Sequence, residues 1–217
     1  QRVYDVIEAV APTATTVLIH GQSGTGKSML AGGIHEHSPR RDGPMVTFAC
    51  GSIPETLLES ELFGHVKGAF TGADSDKIGK LRAADGGTLF IDDLGELPLP
   101  LQPKLLRVLE DGSMRRIGSH KERIVHVRII AASNQDLKKL VDEGLFRADL
   151  YYRLAVIPLD IPSLRERPGD IPLLIHFICD QLVGQGYPKN LECEHEAMQL
   201  MMDYPWPGNV RELSNAV

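Results

Sequence analysis

Residues 21–28 read Gly-Gln-Ser-Gly-Thr-Gly-Lys-Ser, a GxxxxGK[ST] string, and its position constrains the fold more than any other feature of the chain. A β-prone run from Val17 to His20 leads directly into it, and a helical pattern over 28–37 leads out. In that strand-loop-helix context the string predicts a loop whose backbone N–H groups wrap phosphate oxygens at the positive end of a helix. Gly21, Gln22, Ser23, Gly24, Thr25, Gly26, Lys27 and Ser28 are therefore candidate nucleotide-binding residues. Lys27 is placed to neutralise the β and γ phosphates, and the Ser28 hydroxyl to bind Mg²⁺.

Further short β-prone runs fall at 45–48, 88–92, 128–132 and 156–159, separated by helical patterns such as 28–37, 56–63 and 101–111, the last stopped by Gly112. Short apolar runs interleaved with amphipathic stretches predict parallel strands in an α/β sheet. Prolines 158, 162, 168 and 172 punctuate the region after the fifth run, and the remainder of the chain (171–183, 194–204, 209 onward) reads as helices only. That shift in composition predicts two domains: an α/β nucleotide-binding part over 1–161 and a smaller helical part over 162–217.

With 217 residues, 42% hydrophobic and 24% charged, the chain has the composition of a globular protein able to bury a core without staples. Cys50, Cys179 and Cys193 show no CxxC spacing, which suits a reducing cytosol. No apolar run reaches the ~18 residues of a membrane span, so no membrane partner is expected. A net charge of -6 argues against this segment being a duplex-binding part, which would carry a basic stripe. The one basic cluster, Arg115, Arg116, His120, Lys121 and Arg123, reads as a solvated hairpin. Gln1 stands within a helix-like pattern and Val217 ends within one, so both ends are expected to have been cut from something longer.

A second acidic element lies at 86–93, where the apolar strand Thr88 to Ile91 ends in Asp92 and Asp93. Acids at the carboxyl end of a buried strand suit a bound cation, and Asp92 is placed to hold Mg²⁺. Between these motifs lies Gly68, Ala69, Phe70, Thr71, Gly72, Ala73. The small residues allow a tight loop, with Phe70 and Thr71 at its tip and able to bind a partner.

With its run-up Glu61, Leu62, Phe63, Gly64, His65, Val66 and Lys67, this GAFTGA segment resembles the surface loop of the AAA+ bacterial enhancer-binding proteins, ATPases that remodel RNA polymerase carrying sigma-54. The resemblance runs from Val17 to Asn215. It identifies the loop as the contact with sigma-54, and residues 86–93 as a Walker B element. Asn134, with Ser133, falls where the family places sensor I. Residues 146–154, FRADLYYRL, are similar to the segment carrying the family's arginine fingers, which makes Arg147 and Arg153 catalytic candidates. A guanidinium supplied by a neighbouring subunit neutralises charge on the transferring phosphoryl group. Residues 206–213, WPGNVREL, resemble sensor II, with Arg211 directed at the nucleotide and Asn209 read as a helix N-cap. Residues 112–123 match the family's second surface hairpin only loosely.

Two positions depart from the family pattern. Asp93 stands where a water-activating Glu is usual, and Ala49 where an Asn usually restrains that Glu. The shorter acid sets its carboxylate back by about 1 Å or more, a displacement that can cost roughly 10²-fold in rate. The two changes are read as linked, since a shorter acid would not need the restraint.

Of the remaining residues, His35 and His37 lie on different helix faces and are read as surface histidines, Glu59, Ser60 and Glu61 as structural. The resemblance implies a P-loop AAA+ module: a five-stranded parallel sheet of order 5-1-4-3-2 flanked by helices, with an all-helical lid. It implies ATP and Mg²⁺ as cofactors, Asp93 orienting the attacking water, a homo-oligomeric ring of the hexamer type, a bacterial cytoplasmic location, and DNA contact only through a flanking domain. Two rivals remain open here: a nucleotide-gated docking module with weak hydrolysis, and a P-loop enzyme acting on a small metabolite.

Overall fold

The computed structural model describes residues 2–184 and 193–217. Two compact units emerge: Gln1–His20 with Ser28–Leu159, and Gly21–Lys27 with Asp160–Val217.

The first unit is built on strands β1 (Val17–His20), β2 (Met45–Ala49), β3 (Thr88–Asp92), β4 (Arg128–Ser133) and β5 (Ile157–Asp160), ordered β2-β3-β4-β1-β5. That is the order 5-1-4-3-2 expected from the resemblance. Every residue of β4 is buried, and so are the first four of β3, as expected for central strands covered on both faces. The edge strands β2 and β5 are only partly buried. Parallel registers align His20 with Ser133 and Ala49 with Asp92, so the carboxyl ends of four strands share one rim. In open α/β sheets that rim is where ligands bind.

Helices α1 (Arg2–Val10), α2 (Lys27–Glu36), α3 (Glu55–Phe63), α4 (Lys80–Ala83), α5 (Gln102–Asp111), α6 (Leu137–Asp142) and α7 (Ala148–Leu154) accompany the sheet. Leu105, Leu150 and Leu154 pack with Phe48, Leu89, Ile91 and Ile129 in the core. α5 ends at Gly112, whose φ of 72° carries a left-handed cap. The short helices α4, α6 and α7 have too few turns to show a periodic stripe. Asp136 starts α6 by accepting from the N–H groups of Lys138 and Lys139. Two hairpins project from this unit: Gly64–His65 pairs with Lys77–Ile78, and Ser113–Arg115 with Glu122–Ile124. The basic cluster lies on the second hairpin, where Arg115 meets Glu122 and Arg116 meets Asp76.

The second unit holds α8 (Ile171–Gly184), α9 (His195–Asp203) and α10 (Asn209–Ala216), packed through Leu164, Ile171, Ile175, Trp206 and Leu213.

Two expectations are corrected. His35 is buried, its Nδ1 2.9 Å from the Thr88 hydroxyl, because that face of α2 packs on the sheet. Asn209 does not cap α10: it is the helix's first residue, at φ 54°, and its side chain is spent elsewhere. Its Oδ1 accepts from Leu164 N–H and its Nδ2 donates to the Ser23 carbonyl. Glu212 reaches back to the Gly208 N–H instead.

Candidate functional site

In the phosphate loop, five consecutive carbonyl oxygens accept hydrogen bonds from their own unit. Lys27 Nζ donates to Gly21 O at 2.9 Å and Gln22 O at 3.0 Å. Asn209 Nδ2 donates to Ser23 O at 3.0 Å, Val210 N–H to Gly24 O at 3.0 Å, and Arg167 Nη2 to Thr25 O at 2.9 Å. Because C=O and N–H point in opposite directions across a planar trans peptide, the N–H groups of Gln22 to Gly26 face the other side. Gly24 and Gly26 hold φ of 78° and 101°, conformations that glycine adopts without strain, and a side chain at Gly24 would run into the Gly208 carbonyl. Peptide N–H groups freed in this way suit phosphate oxygens, and Lys27 rests beside them on the Gly21 and Gln22 carbonyls. Arg211 also reaches this loop, Nη1 donating to Ser23 Oγ at 3.0 Å. Arg167, which no motif pointed to, joins it as a second arginine.

At the sheet rim, Asp93 takes a left-handed conformation, φ 52° and ψ 46°, and its N–H donates to Asp92 Oδ1 at 3.0 Å. A side chain on Gly51 would begin 3.2 Å from Asp93 Oδ2. The Cys50 thiol is pushed up to about 12, by burial first and then by the charges of Asp93 and Asp92. The two acids thus set a negative potential at the rim, the condition a divalent cation would relieve. No cluster of three metal-binding side chains occurs among the described residues. Magnesium does not need one, being held by one or two protein oxygens together with phosphates and water. Asp92 and the exposed Ser28 are suited to that share.

Ala49 is the register partner of Asp92 and offers only a methyl group. On β4, the Ser133 hydroxyl is taken up by Gln135, donating to its carbonyl and accepting from its N–H, while the adjacent Asn134 is exposed. Both finger candidates are exposed and engaged within the chain. Arg147 forms a two-point pair with Asp149, which lifts the guanidinium above its ordinary range and holds the carboxyl below its own. Arg153 donates twice to the Leu109 carbonyl at the end of α5.

Residues 66–76 form the loop of the first hairpin. Gly68 N–H donates to Ala73 O at 2.8 Å and Ala73 N–H to Phe70 O at 3.0 Å, closing a turn in which Gly68 and Gly72 take φ of 79° and 94°. Thr71 is exposed, whereas Ala73 is buried and serves the turn itself. Phe70 leans on buried His65, ring centroids 5.0 Å apart and planes at 72°, and His65 Nδ1 lies 2.7 Å from the Ser60 hydroxyl of α3. Asp76 accepts from Lys67 N–H and from Arg116, and Ile117 bonds to Gly64 and Val66, which joins the two hairpins.

The sigma-54 interaction domain family matches residues 1–160, and the AAA+ ATPase lid domain matches residues 165–217. The anaerobic nitric oxide reductase transcription regulator NorR of Aeromonas hydrophila is 52% identical over 211 residues, 97% of this chain and 42% of that protein. The Nif-specific regulatory protein of Azotobacter vinelandii is 50% identical over 217 residues, 100% of this chain and 41% of that protein. The chain spans less than half the length of these relatives. Among solved structures, NtrX from Brucella abortus in complex with ADP superposes with a TM-score of 0.92 at 39% identity, covering 99% of this chain and 47% of that one. The same protein in complex with ATP gives 0.89 at 39% identity, covering 99% and 48%.

Proposed function

The chain belongs to the sigma-54 interaction domain family of AAA+ proteins, and from that premise we propose that it hydrolyses ATP to remodel RNA polymerase carrying sigma-54. The observation that supports the reading is the phosphate loop, whose carbonyls from Gly21 to Thr25 are all engaged, so that the peptide N–H groups of Gln22 to Gly26 point away from those donors. Those N–H groups and Lys27 bind the phosphates. Ser28 and Asp92 hold Mg²⁺, which when bound neutralises charge on the phosphate oxygens. Asp93 orients the attacking water, Asn134 and Arg211 sense the nucleotide, and Arg147 or Arg153 is supplied by the next subunit of a hexamer-type ring. Phosphoryl transfer needs positioning and charge and no covalent intermediate. Gly68, Ala69, Phe70, Thr71, Gly72 and Ala73 form the loop that meets sigma-54 in the bacterial cytoplasm, and DNA is reached through a flanking domain.

A second reading is favoured by one observation: the methyl of Ala49 beside Asp92 cannot tether Asp93. On that reading the domain is a nucleotide-gated docking module that hydrolyses little. Turnover measured against protein concentration separates the two. A cooperative rise as rings assemble supports the motor; tight ATP binding with no turnover at any concentration supports the module. For the loop, Thr71→Ala is expected to spare ATPase activity and abolish open-complex formation; retained transcription would remove the loop from the mechanism.

A further inference from the structure

Gln102 is fully buried at the start of α5, yet it is an amide in an otherwise apolar setting between Leu101 and Leu105. All three of its bonds go to the main chain of other segments. Nε2 donates to the Leu97 carbonyl at 2.9 Å and to the Leu145 carbonyl at 3.2 Å, while Oε1 accepts from the Arg147 N–H at 2.8 Å. Two carbonyls on one side and an N–H on the other leave a single consistent orientation for the amide.

The three partners have different jobs. Leu97 closes the 3₁₀ turn that starts from Asp93, with Glu96 N–H donating to Asp93 O and Leu97 N–H to Leu94 O. Leu145 lies in the connection between α6 and α7, and Arg147 is the N-terminal flank of α7. An Arg147 N–H without Gln102 would lose its partner in a part-buried setting, which costs more than a surface hydrogen bond returns. One buried side chain therefore fixes both the turn after the acidic rim and the backbone from which a finger candidate extends.

We infer that Gln102 is a positioning residue for hydrolysis: it sets the backbone of Arg147, and so the reach of that guanidinium toward a neighbouring subunit's nucleotide, against the turn after Asp93. This rests on the reading of Arg147 as a finger acting in trans. The prediction concerns the site a subunit serves, not the one it owns. A chain lacking the Gln102 bonds keeps its own phosphate loop, and keeps its acidic turn through the Glu96 N–H to Asp93 O and Leu97 N–H to Leu94 O bonds, but presents a displaced finger to its neighbour.

The test mixes subunits of the full-length protein. Gln102→Met, which keeps the length and removes all three bonds, is expected to lower turnover about 10²-fold, the scale of an ångström-sized misplacement, with ATP affinity held within about twofold. Mixing it with Lys27→Ala chains, which cannot use their own site but carry a sound finger, restores turnover above that of either parent. Arg147→Ala mixed with Lys27→Ala is the reference. If that reference pair restores activity and the Gln102→Met pair does not, the defect lies in the variant's own site and the proposal is overturned. If the reference pair also fails, the finger-in-trans reading has failed and takes the proposal with it. Wild-type turnover in Gln102→Met overturns it as well. Gln102→Glu, which keeps an acceptor for the Arg147 N–H and removes the amide donor, enters the same mixing test with the same deciding outcomes should the Met variant not fold.

Discussion

Arg147 and Asp149 face each other across two hydrogen bonds, Nη2 to Oδ2 at 2.7 Å and Nε to Oδ1 at 3.0 Å, and both side chains are nearly half exposed. An exposed pair of this kind adds little to stability, but a two-point contact fixes the plane of a guanidinium. Asp149→Ala is therefore expected to leave the thermal midpoint almost unchanged and to lower turnover about tenfold or more, the scale on which loss of orientation acts. Steady-state ATPase rates beside a melting curve check this. A rise in turnover would mean that Asp149 parks the arginine instead of aiming it.

The Cys50 thiol gives a prediction with a definite sign. Its value in the folded chain is raised from 9.0 to about 12, by burial and by Asp93 and Asp92. Below about pH 9 the thiol is protonated in folded and unfolded chains alike, and its contribution is constant. As pH rises from about 9 to 12 the unfolded thiol ionises first, so stability falls across that window. Below it, Cys50 stays a poor nucleophile. Native protein at pH 8 is expected to be alkylated at the part-exposed Cys179 and Cys193 and spared at Cys50, with all three labelled after denaturation, read by peptide mass spectrometry.

The residues legible in the sequence share a property: their chemistry is local. Gly21 to Ser28 comes after a strand and opens a helix, and Asp92 ends an apolar run, so spacing alone assigns the first to a strand-to-helix loop and the second to the carboxyl end of β3. Thr71 sits between two turn glycines and is exposed, as small-residue flanks predict. The sequence does not disclose the polar side chain whose partners are main-chain groups far along the chain. Gln102 bonds across more than 40 residues to Leu145 and Arg147, and no periodicity encodes that. His35 is buried where helix-face spacing suggests a surface position, because spacing says nothing about a Thr88 hydroxyl on a distant strand. Asn209 suits its own helix end by residue type, whereas the backbone it satisfies belongs to Ser23 and Leu164.

Arg128 shows the same pattern at a larger energetic scale. It is buried on β4, its Nη1 donating to Ala11 O and its Nη2 to Val10 O, both at 2.9 Å, so that it closes the carboxyl end of α1. Burial and the nearby Arg40 hold the guanidinium below its ordinary range. Arg128→Met takes the guanidinium donor from the Ala11 carbonyl and from the Val10 carbonyl, which keeps the Thr13 N–H and hydroxyl, while recovering the cost of burying a charge. The net loss is expected to be about 2 kcal/mol, within the range for broken buried polar contacts. Arg128→Lys does not rescue it, since one ammonium lacks the planar fork that spans both carbonyls. Urea denaturation of the two variants decides the point.

Asp93 and Ala49 are a coupled pair to be tested together. Ala49 pairs with Asp92 in the sheet, one residue before the acid in question, and Asp93 Oδ2 approaches the Gly51 backbone closely enough that a side chain there would begin 3.2 Å away. A Glu at 93 carries its carboxylate about 1 Å or more further, the methyl of Ala49 offers it no hydrogen bond, and an unheld carboxylate is not an oriented base. Asp93→Glu alone is therefore expected not to raise turnover. Ala49→Asn alone adds an amide that the shorter acid does not reach, and is expected to be close to neutral. Together they supply both reach and restraint, and turnover is expected to exceed wild type, with a coupling energy on the order of 1 kcal/mol or more in a double-mutant cycle. The rate constants of the four proteins, measured at protein concentrations where rings are assembled, give that energy directly. A clean rise in Asp93→Glu that is indifferent to residue 49 would show that the two departures arose independently, and that the shorter acid alone limits the rate.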